Sequence, residues 1–388
     1  MIKLVSSTFV NEHETKKALC DFIMRSEKLS MGEECLKFEK SFAEWQGSRF
    51  ALLVNSGSSA NLLLVQAMLN SGRWKIGDVI GVSAVTWSTN AMPLIQLGLV
   101  PALIDVDIHS LNISEATLVT AHKTMAITGL FITNCLGLSP DLAAITRYCD
   151  KNSIEMIEDN CESMGSSLDG KKTGNFGLGA SFSLFVGHHL SVIEGGIVCT
   201  DDEEFYHQMI IARAHGWTRH LPEEKRERLC SEHKIDPFYE QYFFVESGFN
   251  LRPTEITGFL GNQQLTYIDM IVSEREKNYV LAKQLISKND ELIKIRDEGM
   301  DKISSFAIPI LCRNPEIKTK LLGLCKDLNI ETRPMIAGSI ARQPFMSKCV
   351  WKSDKLDGAD FIHDNYFYIG NHEAFGEKEY LALENLFS

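Results

Sequence analysis

The stretch Ser181-Phe-Ser-Leu-Phe-Val-Gly-His188-His189-Leu-Ser-Val-Ile-Glu194-Gly195-Gly196 decides the fold. An apolar run over 180–186 predicts a buried strand, and a second run over 197–200 predicts another. The paired glycines between them permit backbone angles closed to other residues. Strand, turn and strand carry two imidazoles to the end of a sheet, where ligand sites of α/β folds lie. The alternative is a hairpin whose histidines are merely solvated.

Two other segments favour a ligand site over a solvated turn. Residues 55–61, Asn-Ser-Gly-Ser-Ser-Ala-Asn, follow an apolar strand over 50–54 and open a predicted helix over 59–69. The free N–H groups and the dipole at such a helix start suit phosphate. Glu158-Asp159 closes another apolar strand, 154–157, and places a carboxylate at its carboxyl end.

Short apolar strands alternate with helical or loop segments through the first 200 residues, and further predicted strands lie at 101–106 and 124–132. This alternation predicts an α/β fold with a mostly parallel sheet flanked by helices. A long helix over 254–287 is expected to lead into a smaller α/β part. We therefore predict a large domain over 1–270 and a small C-terminal domain over 271–388.

Composition limits the classes of partner. The 388 residues include 39 basic and 51 acidic side chains, a net charge of −12, which argues against nucleic acid or an anionic membrane surface. No apolar run has transmembrane length and no cationic-then-apolar leader is seen, so we expect a cytoplasmic protein. The closest of the ten cysteines, Cys149 and Cys161, are 12 positions apart. That spacing predicts no metal pair and reduced thiols.

The phosphate loop over 55–61, the acidic pair Glu158-Asp159 at a strand end and the turn with His188-His189 follow one another in an order that resembles the sugar aminotransferase family. Its members use pyridoxal phosphate and have the aspartate aminotransferase fold, fold type I. Four more stretches support the resemblance: Ser-Met-Gly-Glu (30–33), Ala-Val-Thr-Trp-Ser-Thr (84–89), Glu-Asp-Asn-Cys-Glu-Ser-Met-Gly (158–165) and Arg-Ala-His-Gly-Trp-Thr-Arg (213–219). The resemblance extends over nearly the whole chain.

One position departs from the family pattern. The family places a lysine six positions before the glutamate of Glu-Gly-Gly, and here that residue is His188. The family lysine holds the cofactor as a Schiff base, which an imidazole cannot form. No lysine lies between Thr173 and Glu224 to replace it. Histidine at this position characterises the family's 3-dehydratases of nucleotide-linked 4-keto-6-deoxy sugars.

The resemblance implies pyridoxal 5'-phosphate, or its amine form pyridoxamine 5'-phosphate, as the cofactor. It implies these cofactor contacts: Gly57, Ser58 and Ser183 on the phosphate, Asp159 on the ring nitrogen, Trp87 stacked on the ring, Glu162 near the phenolic oxygen and Asn250 on the phosphate of a neighbouring subunit. Simpler roles stay open for three of them. Trp87 could be core, Asp159 could cap a helix, and Asn250 could lie in a loop held within its own chain.

Further residues receive weaker assignments. The resemblance places Met31, Arg333 and His372 near the substrate, and His215 and Glu162 as possible catalytic support. The loop around Met31 could instead be a helix cap. His215 could instead interact favourably, as a cation, with the dipole at the C-terminal end of a predicted helix over 201–214.

His188 suits the role of catalytic base. An imidazole has an ordinary pKa of about 6.5, so it takes and returns protons near neutrality. The resemblance implies a GDP-linked 4-keto-6-deoxyhexose as substrate, loss of its C3 hydroxyl, and L-glutamate as the amino donor, in a homodimer with shared active sites. The product would be a 3-deoxy-4-keto sugar for colitose-type O-antigen polysaccharide.

Three alternatives deserve comparison. A C4 aminotransferase would keep oxygen at C3, and a catalytically inactive relative would bind nucleotide sugar and cofactor without turnover. Another group of 3-dehydratases has histidine at this position but carries an iron–sulfur cluster. Such a cluster needs closely grouped cysteines, so the cysteine spacing argues against it.

Overall fold

The computed structural model describes residues 2–387, so Met1 and Ser388, the outer ends of the two predicted domains, lie outside the described residues. Its α-helices are α1 Glu12–Arg25, α2 Glu33–Gln46, α3 Gly57–Asn70, α4 Ser88–Gln96, α5 Glu115–Met125, α6 Leu142–Lys151, α7 Glu203–Arg213, α8 Glu223–Glu232, α9 Glu255–Leu265, α10 Ile268–Ile286, α11 Pro315–Asp327, α12 Asp357–Asn365 and α13 Glu377–Phe387. Its strands are β1 Phe50–Val54, β2 Val79–Ser83, β3 Val100–Ile104, β4 Gly129–Thr133, β5 Glu155–Asp159, β6 Ser167–Leu168, β7 Lys171–Lys172, β8 Gly179–Ser183, β9 Gly196–Thr200, β10 Met300–Lys302, β11 Ala307–Leu311, β12 Thr332–Pro334, β13 Lys352–Ser353 and β14 Tyr366–Gly370.

An eight-stranded sheet, ordered β1-β9-β8-β5-β4-β2-β3-β13, organises the molecule. In this order, each strand from β8 through β5, β4, β2 and β3 to β13 is parallel to the next. Strand β9 runs antiparallel to both β1 and β8. Two reversals give β1 the direction of β8, so the carboxyl ends of β1, β2, β4, β5 and β8 meet at one edge. The predicted mostly parallel sheet and the β8–β9 hairpin are therefore confirmed.

The central strands are buried because the sheet is covered on both faces, as is typical of parallel sheets. The residues of β4, β8 and β9 are all buried. Helices α3 and α7 pack against each other, and α3 contacts β8 and β9. This layer fixes where α3 begins, next to the carboxyl ends of the strands.

A smaller antiparallel sheet, β11-β14-β12, forms the C-terminal part. Helix α10 includes residue 270, the predicted domain boundary. Strand β13 belongs to the predicted C-terminal domain but pairs with β3 of the large sheet. The division into domains at residue 270 stays a prediction.

Two predicted elements are wrong in extent. The helix expected over 254–287 is two helices, which are separated at Thr266 and Tyr267, where the Tyr267 N–H bonds to the Gln264 carbonyl only three residues back. The Gln264 side chain also bonds to Val10 and Thr15, so tertiary contacts hold the chain where the two helices meet. The strand expected from residue 124 begins only at Gly129, since α5 runs on to a left-handed cap at Ala126.

None of the helices within residues 2–387 combines the length and the apolar character needed to cross a membrane.

A buried ion pair links the first helices to the sheet. Arg213 Nη1 lies 2.6 Å from Glu39 Oε1, with side-chain exposures of 3% and 6%. The backbone of Leu53 completes the arrangement, because its N–H donates to Glu39 and its carbonyl accepts from Arg213. Burial raises the pKa of Glu39 while Arg213 acts in the opposite direction. Each charge therefore depends on the other for its burial.

We predict that Arg213→Leu lowers the free energy of unfolding by about 3–5 kcal/mol, because it leaves the Glu39 carboxylate buried and unpaired. Chemical denaturation measures the loss. Arg49→Leu is the matched control, since Arg49 pairs with Glu203 at the surface, 60% exposed, and such pairs contribute about 0.2–1 kcal/mol. Equal losses in the two variants would contradict the prediction.

Candidate active site

A cavity of about 410 Å³ opens where the carboxyl ends of β5 and β8 meet the start of α3. We call it the active-site cavity. Its lining residues are Ser56, Gly57, Ser58, Trp87, Thr89, Thr133, Asp159, Cys161, Glu162, Ser183, Phe185, His188, Glu194, Phe306, Ile336 and Tyr368. The structure thus brings together seven residues predicted from the sequence: Gly57, Ser58, Trp87, Asp159, Glu162, Ser183 and His188.

The start of α3 forms one wall. The Ser56 hydroxyl oxygen accepts from the Ser59 N–H at 3.0 Å and caps the helix. A Cβ atom at Gly57 would lie 2.8 Å from Ser183 Cβ, and one at Gly196 would lie 2.2 Å from the Ser56 carbonyl oxygen. Only glycine lets the helix begin this close to β8 and β9. The helix N-terminus and the Ser183 hydroxyl together make a site suited to phosphate.

Asp159 provides the carboxylate of the cavity at the end of β5. Its Oδ2 accepts from the side-chain amides of Asn61 at 3.0 Å and Asn90 at 2.8 Å. Its Oδ1 accepts from the Cys161 N–H at 2.9 Å. These donors hold a 4% exposed carboxylate in one orientation. A fixed carboxylate of this kind pairs well with a protonated ring nitrogen.

Sequence reasoning missed Asn61 and Asn90. Both are buried, and both stand among apolar residues in α3 and α4. Ser181 donates to Asn61 Oδ1 at 2.5 Å, and Thr86 donates to Asn90 Oδ1 at 2.9 Å. An asparagine at a position that periodicity assigns to the core was the available signal, because buried amides need partners.

Glu162 has the properties of an acid. Burial, opposed by the Leu136 N–H at 3.1 Å and reinforced by nearby Asp159, raises the pKa of Glu162 to about 8. The carboxyl group is therefore mostly protonated at neutral pH and can donate a hydrogen bond to a ligand. Its neighbour Cys161 keeps its proton as well, since burial raises the pKa of that thiol well above the usual range.

His188 lies between two aromatic rings. Its ring centroid is 5.9 Å from that of Phe185 and 4.9 Å from that of Phe306. Its Nδ1 is sealed from solvent and has no hydrogen-bond partner. Burial, followed by the charge of Arg275, lowers the pKa of His188 to about 3. At neutral pH the imidazole is thus unprotonated, which is the form that accepts a proton.

Trp87 precedes α4 and is 56% exposed, so the alternative that it is core is wrong. A large exposed ring at a cavity wall suits stacking on a flat ligand.

This set of residues fits a flat cofactor with a phosphate at one end and a protonated ring nitrogen at the other. The wall at α3 and Ser183 supplies the phosphate site, and Asp159 supplies the carboxylate for the nitrogen. No lysine from residues 2–387 lines the cavity, so nothing at its wall could hold such a cofactor covalently as an imine.

Met31 and Asn250 lie elsewhere. They line a separate recess of about 360 Å³ together with the cationic side chains of Lys28, Arg219 and Arg252 and the ring of His220. His215 is also outside the active-site cavity. It has a left-handed φ of 65°, its N–H donates to the Phe249 carbonyl, and its ring packs 4.9 Å from that of Trp217.

Arg333 and His372 lie beside the cavity without lining it. Arg333 is exposed on β12, opposite Tyr368 of β14, and Tyr368 lines the cavity. His372 is 6% exposed, packs against the ring of Phe375 and shares a small polar recess with His188.

Within the described part of the chain, no group of three or more His, Cys, Asp and Glu side chains is placed to hold a metal ion.

Comparisons with known proteins agree on one family. The sequence profile of the DegT/DnrJ/EryC1/StrS aminotransferase family matches residues 10–382. GDP-4-keto-6-deoxy-D-mannose 3-dehydratase of Yersinia pseudotuberculosis is 36% identical over 372 residues, 94% of this chain and 93% of the relative. Two crystal structures resemble the whole chain. They are a GDP-4-keto-6-deoxymannose-3-dehydratase with a trapped PLP-glutamate geminal diamine (TM-score 0.90) and an H188N mutant of that kind of enzyme with bound GDP-perosamine (TM-score 0.92), each 32% identical and covering 100% of both chains.

The predicted aspartate aminotransferase-like fold is confirmed by these likenesses. The chain belongs to the DegT/DnrJ/EryC1/StrS aminotransferase family.

Proposed function

We propose that this protein is a pyridoxal phosphate-dependent 3-dehydratase acting on GDP-4-keto-6-deoxymannose. The observation that carries the proposal is that a neutral histidine stands in the active-site cavity and no lysine of residues 2–387 lines it. The similar proteins of that name support the choice of substrate.

The chain offers a place for each part of the cofactor. The N–H groups at Gly57 and Ser58 and the Ser183 hydroxyl would bind the phosphate. Asp159 would keep the ring nitrogen protonated, and Trp87 would cover the face of the ring. In its amine form the bound cofactor would supply an amine for the C4 ketone and, from the C–H bond at its C4′ carbon, the electron pair that expels the C3 hydroxyl.

His188 would move the proton that this chemistry requires. Because Nδ1 is sealed, Nε2 is the nitrogen that can reach a ligand. The neutral ring would accept at Nε2 the proton lost from the C4′ carbon of the bound cofactor and then donate it to the departing C3 hydroxyl, which leaves as water. Glu162, protonated at neutral pH, would donate a hydrogen bond to an anionic oxygen beside the ring. At neutral pH His188 would thus start as a base and Glu162 as an acid.

The overall reaction needs a source of two electrons. The sugar exchanges a C3 hydroxyl for hydrogen, which is a reduction, and L-glutamate would be oxidised to 2-oxoglutarate with release of ammonia. The trapped PLP-glutamate adduct in a similar enzyme supports glutamate as this donor. The product, a 3-deoxy-4-keto nucleotide sugar, suits colitose-type dideoxysugar assembly for surface polysaccharide, and we place the enzyme in the cytoplasm.

An aminotransferase would need a base that returns the proton to the sugar C4, the task of the family lysine. The absence of a lysine at the cavity wall therefore argues against it. An inactive binding protein would need neither a neutral imidazole nor a protonated carboxyl in the same cavity.

We predict that the protein, supplied with GDP-4-keto-6-deoxymannose, cofactor and glutamate, forms a product lighter by one oxygen atom. His188→Asn should slow product formation by about 10²–10⁴-fold, because it keeps the approximate size but removes the base. His13→Asn, at an exposed position, is the matched control and should match the parent. Mass spectrometry of the product gives the result. A product with nitrogen at C4, or an unimpaired His188→Asn variant, would contradict the assignment.

We predict that borohydride treatment of the cofactor-loaded protein leaves no cofactor attached to a lysine, since His188 cannot form an imine. Peptide mass spectrometry after denaturation detects any attachment. His188→Lys is the control and should trap the cofactor at residue 188, which proves that the reagent reaches the site. A lysine adduct in the parent protein would sink the prediction.

We also propose a homodimer in which Asn250 serves the partner's cavity. The support is its position: Asn250 lies outside the cavity of its own chain, in the recess with Met31. The side chain of Arg252 donates to Asn250 Oδ1 at 2.9 Å and orients the amide. The exposed cationic recess would then face an anionic cofactor or substrate of the second subunit.

We predict that mixed dimers of His188→Asn and Asn250→Ala regain about half the parental activity. If Asn250 acts across the interface, one of the two sites receives both intact residues, and the other carries both defects. If Asn250 acts within its own chain, both sites are defective and activity stays low. Sedimentation establishes the dimer, and cofactor titration of purified mixed dimers counts the intact sites. Exposed Asn152→Ala is the control for Asn250→Ala.

A further inference from the structure

A buried arginine fastens the turn that carries His188. Arg275, on α10, is 3% exposed. Its Nη1 donates to the carbonyl oxygens of Phe306 at 2.9 Å and Asn371 at 2.5 Å. Its Nη2 lies 3.4 Å from the carbonyl oxygen of His188. One guanidinium thus joins the β8–β9 hairpin to two segments of the small sheet.

The same segments enclose the imidazole. The Phe306 ring, whose backbone Arg275 holds, packs 4.9 Å from the ring of His188. On the turn itself, Nε2 of His189 lies 2.9 Å from the Ser304 carbonyl. Because a carbonyl only accepts, this nitrogen must carry hydrogen. The position of His188 therefore depends on how the turn docks onto the strand that follows Ser304.

A second set of bonds fixes Arg275 from the other side. The Asn371 amide donates to the Arg275 carbonyl at 3.0 Å and to the Ser305 carbonyl at 2.9 Å. The Asn278 amide donates to Asn371 Oδ1 at 3.0 Å. These buried groups form a closed network, which rigidifies its members when every bond is made.

The charge of Arg275 is not neutralised at contact distance. All three of its acceptors are backbone carbonyls. Burial lowers the pKa of Arg275 to about 10, which still leaves it charged at neutral pH. Its field is the second cause, after burial, of the low pKa of both His188 and His189.

We propose that Arg275 is a positioning residue for His188: its guanidinium fixes the turn that carries the imidazole, and its positive charge lies in the recess behind that ring. The need for a base rests on the proposed function. The fastening of the turn does not. Arg275 lines the small polar recess behind His188 and does not line the active-site cavity.

Other titratable groups face the same ring. They are His189 on its own turn, His372 and Glu373 from the loop after β14, and Asp159, Glu162, Glu194 and Tyr368 at the active-site cavity. All of them remain in the variants below, so a difference between variants reports the loss of Arg275.

The test is a titration of the histidines in the cofactor-free protein, labelled with ¹³C at Cε1 and followed by NMR. The His188 signal is assigned by its loss in His188→Asn. We expect no titration of His188 above pH 5 in the parent. In Arg275→Met it should titrate at a pH higher by about one unit, because a nearby positive charge disfavours the imidazolium. Arg275→Lys keeps the charge, so its titration should stay close to that of the parent.

Kinetics measure the positioning part. Both Arg275→Met and Arg275→Lys should lower kcat about 10²-fold with little change in KM, because neither can hold three carbonyls and a misplaced catalytic group costs about that factor. Only Arg275→Met should also move the acidic limb of the pH profile upward. Arg342→Met, which removes an exposed arginine paired with Asp360 and Asp364, is the matched control and should change neither quantity.

Two results would overturn the proposal: an unchanged His188 titration in Arg275→Met, or an unchanged kcat in Arg275→Lys. If Arg275→Met does not fold, the kcat of Arg275→Lys decides. The titration uses the cofactor-free protein, so it stands even where the parent fails to dehydrate the sugar. That failure would contradict the proposed function alone.

Discussion

Two asparagine amides converge on one carboxylate oxygen, and the arrangement of the site depends on that contact. Asn61 from α3 and Asn90 from α4 both donate to Asp159 Oδ2 at the end of β5. The contact ties the helix that would bind phosphate to the strand that bears the acid. Because a buried carboxylate is costly unless its hydrogen bonds are made, neither helix can shift without loss. The distance between the phosphate site and the acid is set by the fold.

Because this part of the site is rigid, the side chain at position 188 on the remaining wall can differ without disturbing it. The β8–β9 hairpin brings the turn with residue 188 to the cavity, since its register is fixed by β-pairing and by Gly196, and Arg275 and His189 then dock the turn. A histidine at this point leaves the cofactor site intact and removes the covalent anchor. Glu162, with a pKa raised to about 8, adds a proton donor to the same cavity. The cavity holds an acid and a base at the same pH because burial favours the neutral form of each.

The sequence predicted the parts of this site that lie at element ends. The Gly-Ser loop, Asp159 and the histidine turn stand where apolar runs stop, and ends of parallel strands meet at one edge. It did not predict Asn61, Asn90 or Arg275, which occupy helical positions that periodicity assigns to the core. Their partners are far away in the chain, so only the assembled structure shows which groups they bond to. The break at Thr266 and Tyr267 was missed for the same reason, because the bonds of Gln264 to Val10 and Thr15 are also long-range.

Two arginines among residues 2–387 are buried, and they are held in different ways. Arg213 is paired with Glu39 at 2.6 Å, although, after burial, its charge also lowers the pKa of His220. Arg275 bonds through Nη1 and Nη2 to three backbone carbonyl oxygens, which leave its positive charge in place. A carboxylate beside Arg275 would stabilise the cation and would also cancel its field at His188. Glu373 stabilises the cation without being among its hydrogen-bond acceptors, and the field of Arg275 still reaches His188. The two arginines therefore differ in what holds them: a carboxylate holds Arg213, and backbone carbonyls hold Arg275 at the turn that carries His188.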